Sequence, residues 1–439
     1  MVAFLLDIAY ILVLIVAAPW LAFKAVRSGK YRTGLSHKLF GLVPARSTGR
    51  PCVWFHAVSV GEVMLLRRIV AAVGRQRPDV EFVISTTTNT GMEVARQHFT
   101  EHTLIYFPLD FSWAVRRAVA RIRPDVVALA ELELWPNFID AAKRLGVPIC
   151  VINGRMSPRS HRGYRRVRWF MRTILAKIDA FAIQNDEFAQ RFIDAGAPAE
   201  RVVVTGSVKY DGIETDRSNP KTSELRGCLG IRTDDLVWVA GSTSEPEESI
   251  VLDAYEQMRV QFPSFRLIVV PRHKERFDEV SRLLESRGHR VLRRSRHQAV
   301  ERFEREANPV VLVDTLGELS SVWGLADIAF VGGTFAPRGG QNMIEPAGYG
   351  AAVVVGPGVW NFQDTVDHLL ACRGIVQVST AGELRRVVET LARDVAERHR
   401  MGQAARSFVR NQHGATERTV HLVERLLPMA ARRNPPLAA

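Results

Sequence analysis

Six short polar clusters carry the residue types that do chemistry: Ser59-Val60-Gly61-Glu62, Glu131-Leu132-Glu133, Asn153-Gly154-Arg155, Gly241-Ser242-Thr243-Ser244, Pro271-Arg272-His273, and a glycine-rich run over residues 331–346, VGGTFAPRGGQNMIEP. In the run, glycines let backbone N–H groups approach an anion, and the helix start expected next adds a positive dipole end. It reads as a cradle for a phosphate of a nucleotide-activated donor, or as a tight turn closed by an Asn342–Glu345 capping box. Glu62 follows Gly61 at a helix start. It either complements the helix dipole or, left open by the small residues before it, takes a proton from an acceptor hydroxyl. Glu131 and Glu133 are two apart, so on a continuing strand both face one side, where like charge raises one pKa. Arg155 could grip a phosphate or carboxylate in bidentate fashion, and Arg272 and His273 suit the same groups. Lys209, within TGSVKYD, is either a surface lysine or a site cation. The stretch Asp314-Thr315-Leu316-Gly317-Glu318 is a second loop-to-helix turn whose amides could meet a base or phosphate.

The elements that must position these residues alternate. Strands are expected at 53–58, 81–85, 104–107, 126–130, 149–153 and 180–184, then at 236–240, 266–271, 310–313, 328–331 and 352–356, with helical spacing between them. Such alternation predicts doubly wound parallel sheets, one per half. The polar, turn-rich stretch 211–228 marks the junction between them. Ligands of open parallel sheets bind beyond the carboxyl ends of strands. The clusters fall at those ends in both halves, which points to a two-substrate site in a cleft. The last helical stretch, 395–427, offers Gly402 or Gly414 as a break.

The net charge of +13 is concentrated: residues 24–50 carry seven Lys/Arg and residues 154–178 carry eight, both without acids. Such patches imply an anionic partner, a phospholipid or phosphorylated lipid, and no nucleic-acid module accompanies them. Four scattered cysteines suggest neither a metal cage nor a disulfide scaffold. Residues 2–23 are apolar except for Asp7, and Lys/Arg begin at Lys24. This reads as an uncleaved membrane anchor, spanning or shallow, with the rest of the chain cytoplasmic; a buried core helix is the alternative. There is no G-x-x-x-x-G-K-[ST], no G-x-G-x-x-G and no Asp-x-Asp pair for a metal.

Taken together, HAVSVGE, ELELWPN, NGRMSPRS, TGSVKYD, VPRHKERF, DTLGEL and GGTFAPRGGQNMIEPAG resemble the 3-deoxy-D-manno-octulosonic acid (Kdo) transferases, in order over essentially the whole chain. The resemblance implies a GT-B glycosyltransferase of the α/β class, with two Rossmann-like doubly wound domains facing across a cleft and an N-terminal membrane-anchor helix. It divides the chain into an anchor (1–23), an acceptor domain (24–212), a donor domain (213–427, its last helix packing back) and a loose tail (428–439). It implies inverting transfer of Kdo from CMP-Kdo to the lipid A precursor lipid IVA, at the cytoplasmic face of the inner membrane, without cofactor or metal. Carried over by motif, Glu62 is the proton acceptor, and Glu131 and Lys209 stabilise the transition state. Pro271, Arg272, His273, Leu316, Gly317, Glu318, Asn342, Met343, Ile344 and Glu345 line the donor. Ser59, Gly61 and Arg155 are acceptor-side candidates. The chain departs from the family at QNMIEP, where HNPLEP is usual, and at Ser244, where histidine is usual. A GT-B enzyme using a UDP-sugar is the alternative.

Overall fold

The computed structural model describes residues 2–28, 33–296 and 308–428. Lys30 and Arg32 of the first basic stretch, and residues 429–439 of the expected tail, lie outside them. The chain forms two compact units, residues 1–211 with 413–439, and residues 212–412.

The first unit holds β1 (Cys52–His56), β2 (Glu81–Thr86), β3 (Thr103–Tyr106), β4 (Val126–Ala130), β5 (Ile149–Gly154), β6 (Ala180–Ile183) and β7 (Val202–Val204). They pair in parallel in the order β3-β2-β1-β4-β5-β6-β7. β1 and β4 are buried at every position, as a central strand covered by helices on both faces must be. The second unit holds β8 (Leu236–Thr243), β9 (Phe265–Pro271), β10 (Val291–Arg293), β11 (Val310–Leu312), β12 (Ile328–Val331), β13 (Ala352–Val355) and β14 (Ile375–Gln377), parallel in the order β10-β11-β9-β8-β12-β13-β14. The strand order reverses between β1 and β4 in one sheet and between β8 and β12 in the other. Those are the two places where open α/β sheets leave a crevice at their carboxyl ends.

β7, β10 and β14 were not expected. Each has three residues, too few to show a period, and β7 is mostly exposed. The long C-terminal stretch breaks at Gly414, whose φ of 88° starts the helix Ala415–Leu426. Gly402 instead sits inside the helix Val395–Asn411, where a Cβ would lie 2.1 Å from the Gly350 carbonyl oxygen. Past the break the chain rejoins the first unit. Ala415, Val420 and Val423 are buried with Val63, Leu66 and Ile69 of α3 (Val60–Gln76). Burying each of the valine, leucine and isoleucine side chains contributes on the order of 2 kcal/mol.

Two helices precede β1. α1 (Val2–Ser28) contains an 18-residue apolar window, Ala3–Trp20, of mean hydropathy 2.2, long enough to cross a membrane. α2 (Leu35–Phe40) lies between two left-handed glycines, Gly34 and Gly41.

Candidate functional site

In the first unit the reactive side chains gather at the β1/β4 crevice. Ser59 caps α3: its hydroxyl accepts from Glu62 N–H at 3.3 Å and donates to Glu62 Oε1 at 2.8 Å. Glu62 Oε2 accepts from Val58 N–H at 2.9 Å. The carboxylate therefore closes the first helical turn, as the dipole reading held, yet each oxygen keeps a lone pair for a substrate hydroxyl. Burial pushes its pKa above the usual carboxylate range, against these hydrogen bonds and with help from nearby Glu131. Gly61 is exposed beside it.

Glu131 and Glu133 do not share a strand face. β4 stops at Ala130, and Glu131 has φ 54°, a left-handed turn that ends the alternation of the pleat. Glu131 turns to cations, accepting from Arg155 Nε at 2.8 Å with Lys209 Nζ 3.8 Å away. Glu133 accepts from Trp135 Nε1 at 2.9 Å. Its pKa is pushed up to about 7, first by burial, with the charges of Glu62 and Glu131 adding. His56 Nε2 lies 3.8 Å from Glu133. This is no ion pair, because complete burial lowers His56 to about 3 and leaves it neutral. His56 stacks on Phe107 at 3.7 Å and directs Nδ1 to Ser85. Asn153, also left-handed, holds the turn that bears Lys209: its Oδ1 accepts from Val208 N–H at 3.1 Å.

In the second unit the β8/β12 crevice holds the glycine run, and here the structure corrects the sequence. Glu247, at the start of the helix Glu247–Gln261, is completely buried. Its carboxylate accepts from Gly333 N–H at 2.7 Å, Thr334 N–H at 2.8 Å, Phe335 N–H at 2.9 Å and Ser244 N–H at 2.9 Å. Gly332 N–H donates to Gly241 O and Gly340 N–H to Gly333 O. The amides of Gly332, Gly333 and Gly340 are therefore spent on the protein itself, and an internal anion fills the expected phosphate cradle. The amides of Gly339 and Gln341 donate to nothing among the described residues. Nor does Asn342–Glu345 form a capping box. Asn342 Oδ1 accepts from Ile344 N–H, and its Nδ2 donates to Glu345 Oε1 at 3.0 Å.

Around this run stand the other expected donor residues. Arg272 follows β9 and is exposed, and its guanidinium makes no bond among the described residues. His273 Nε2 lies 3.0 Å from Arg338 Nη1. The Thr243 and Ser244 hydroxyls at the end of β8 are buried with no hydrogen-bond partner among the described residues. Leu316 is 72% exposed, Gly317 has φ 86°, and Glu318 accepts from Arg294 at 3.0 Å. Pro271, Met343 and Ile344 are buried, so the Met343 and Ile344 side chains serve the core and leave contact to Asn342, Glu345 and the backbone. Among the described residues no group of three or more His, Cys, Asp or Glu is placed to hold a metal ion.

Sequence reasoning missed Glu247. The signal was present: an acid three residues after Ser244 at a strand end has the spacing of a capping box.

Two seven-stranded parallel sheets define a protein of the GT-B class. Solved structures agree on the fold. A Neisseria meningitidis UDP-GlcNAc 2-epimerase bound to UDP-GlcNAc superposes with TM-score 0.56 at 11% identity, covering 85% of this chain and 99% of that one. Anabaena Alr3699/HepE in complex with UDP gives 0.53 at 16%, covering 86% and 99%. The family described as 3-deoxy-D-manno-octulosonic-acid transferase (kdotransferase) matches residues 32–212. The 3-deoxy-D-manno-octulosonic acid transferase of Haemophilus influenzae is 31% identical over 91% of this chain and 93% of its own. That of Bordetella pertussis is 32% identical over 92% and 95%. The chain belongs to the Kdo transferase family: it is a glycosyltransferase of lipopolysaccharide biosynthesis, and its donor is a sugar nucleotide.

Proposed function

We propose that the chain moves Kdo from CMP-Kdo to the lipid A precursor lipid IVA, with inversion, at the cytoplasmic face of the inner membrane. The observation that carries this reading is Glu62, a half-buried carboxylate of raised pKa held in one orientation by hydrogen bonds from Val58 and Ser59. A base of that kind takes the proton of a sugar hydroxyl as it attacks the anomeric carbon. Glu131 is a positioning residue that fixes Arg155, and Lys209 beside it supplies positive charge to the transition state. On the donor side, Arg272, the His273–Arg338 pair and the Gly339 amide offset charge on the departing CMP phosphate, while Glu247 shapes the loop that carries two of them. One phosphate leaves, which needs less countercharge than a diphosphate.

The arginine-rich helices Pro158–Arg166 and Arg168–Leu175 suit a phosphorylated, acylated acceptor. Arg159, Arg162, Arg165, Arg166, Arg168 and Arg172 are exposed there, and Trp169 is 76% exposed. The test is mass spectrometry of the product made by the full chain in detergent from lipid IVA and either CMP-Kdo or a UDP-sugar. A Kdo-bearing lipid formed only with CMP-Kdo is expected; transfer only from the UDP-sugar would reject the donor.

A further inference from the structure

α1 is apolar nearly all round, but one stripe is not free. Ala3, Asp7, Tyr10, Leu14 and Ala17, spaced four and three apart, are partly or fully buried together with Leu6 beside them, and α1 lies against the helices Ser112–Ile122 and Pro136–Arg144. Asp7, the single charge in the apolar run, is 8% exposed. Its Oδ1 accepts from Ser112 N–H at 2.8 Å and from Asn137 Nδ2 at 3.3 Å, and its Oδ2 accepts from the Ser112 hydroxyl at 2.6 Å. It thus sits on the amino end of the helix Ser112–Ile122, where a negative charge is favoured. One turn on, the Tyr10 hydroxyl donates to Asp110 at 3.1 Å. Asp110 in turn accepts from Asn137 N–H at 3.0 Å and Phe138 N–H at 2.8 Å. Two hydrogen-bonded side chains therefore clasp the amino-terminal half of α1 to the first unit.

That clasp and a membrane crossing exclude each other. In a crossing helix the cations Lys24 and Arg27 would mark the cytoplasmic end, and the rest of the unit would follow them. Asp7 lies about 25 Å back along the axis, at about 1.5 Å per residue, in the far leaflet. Ser112, Asp110 and Asn137 would then have to be on both sides at once. The irregular backbone before Ser112 and Asn137 would also meet lipid, where unpaired peptide groups are not tolerated.

We infer that α1 lies in the plane of the membrane surface, clasped to the first unit through Asp7 and Tyr10, and does not cross the bilayer. This rests on the membrane reading above. The occupant of its outer face is one anionic leaflet. Phe4, Leu5, Ile8, Ile11, Leu12 and Val16 are exposed along it. The buried Phe111 ring bridges Tyr10 and the stacked, exposed Trp113, whose Nε1 donates to Leu39 O at 2.9 Å beside exposed Phe40 and Leu42. Lys24, 4.1 Å above the Trp20 ring, and Arg27 beside Phe23 stand at its end. Apolar area with cations at the edge is the composition of an interfacial anchor.

The test uses the full chain with an epitope tag added at its amino terminus, expressed in a Gram-negative host. Protease is applied to spheroplasts and to inverted inner-membrane vesicles. We expect the chain in the membrane fraction and the tag removed only from inverted vesicles. Tag removed from spheroplasts would overturn the inference and leave membrane attachment standing; recovery in the soluble fraction would remove both. Asp7→Leu breaks the clasp and makes the apolar run continuous. Its tag should become cleavable in spheroplasts for a substantial share of molecules, and a tag still wholly cytoplasmic would overturn the role given to Asp7.

Discussion

Replacing Glu247 by glutamine changes one oxygen into an NH2 group and leaves size and shape unchanged. The carboxylate divides its four acceptor bonds evenly: Gly333 and Ser244 N–H on Oε2, Thr334 and Phe335 N–H on Oε1. Whichever way the amide turns, two N–H donors lose an acceptor and face another donor. The site is completely buried, so water cannot take over. A buried donor left unmade costs about 1–3 kcal/mol, so the pair costs about 2–6 kcal/mol. For a unit of roughly 200 residues each kcal/mol shifts Tm by about 2–4 °C, which puts the loss between roughly 4 and 24 °C. The assay is thermal unfolding of the full chain in detergent, with CMP binding measured by calorimetry below the transition. CMP affinity should fall as well, because Arg338 and Gly339 ride on the loop that Glu247 holds. A Tm within a degree of the parent, with CMP binding unchanged, would refute the idea that this carboxylate organises the run.

Other consequences follow from individual groups. Glu133 has its folded pKa raised to about 7, first by burial. The folded state therefore binds the proton more tightly than the unfolded one, and this group costs stability progressively as pH rises from about 4.5 to 7. Glu133→Gln keeps an acceptor for Trp135 and should be more stable than the parent above pH 7, by up to about 3 kcal/mol, and equal to it near pH 4; denaturation at several pH values checks this, and a pH-independent difference would contradict it. Arg272→Ala removes a guanidinium that makes no bond among the described residues, so the Tm should stay put. Loss of one charge-assisted bond to phosphate, about 1.5–3 kcal/mol, should raise the KM for CMP-Kdo roughly 10- to 150-fold; an unchanged KM would take Arg272 out of the donor site.

Much of the fold was legible because its central strands are fully buried runs of Val, Ile, Ala and Phe, bounded by polar clusters at their carboxyl ends. Val126–Ala130 and Ile328–Val331 could be read to the residue. β7, β10 and β14 escaped because each has three residues and is partly exposed, whereas the equally short β11 is a fully buried apolar run. The glycine run was legible as a loop between strand and helix. What its amides hold was not, since Glu247 lies 86 to 88 residues away in sequence and only the fold brings it there. The left-handed φ of Glu131 was equally hidden, because glutamate has no preference for that conformation, and it occurs where β4 ends and the chain turns. Asp7 read as an interruption of an apolar run; its partners, Ser112 and Asn137, are more than a hundred residues on.

The carboxylate after β1 carries the proposed chemistry most directly. Glu62→Gln keeps an acceptor in the α3 cap and removes the base, so single-turnover transfer from CMP-Kdo to lipid IVA should fall by about a hundredfold to ten-thousandfold, with CMP affinity and Tm close to those of the parent. Transfer at the parental rate in that variant would contradict the assignment of Glu62 as the group that takes the acceptor proton.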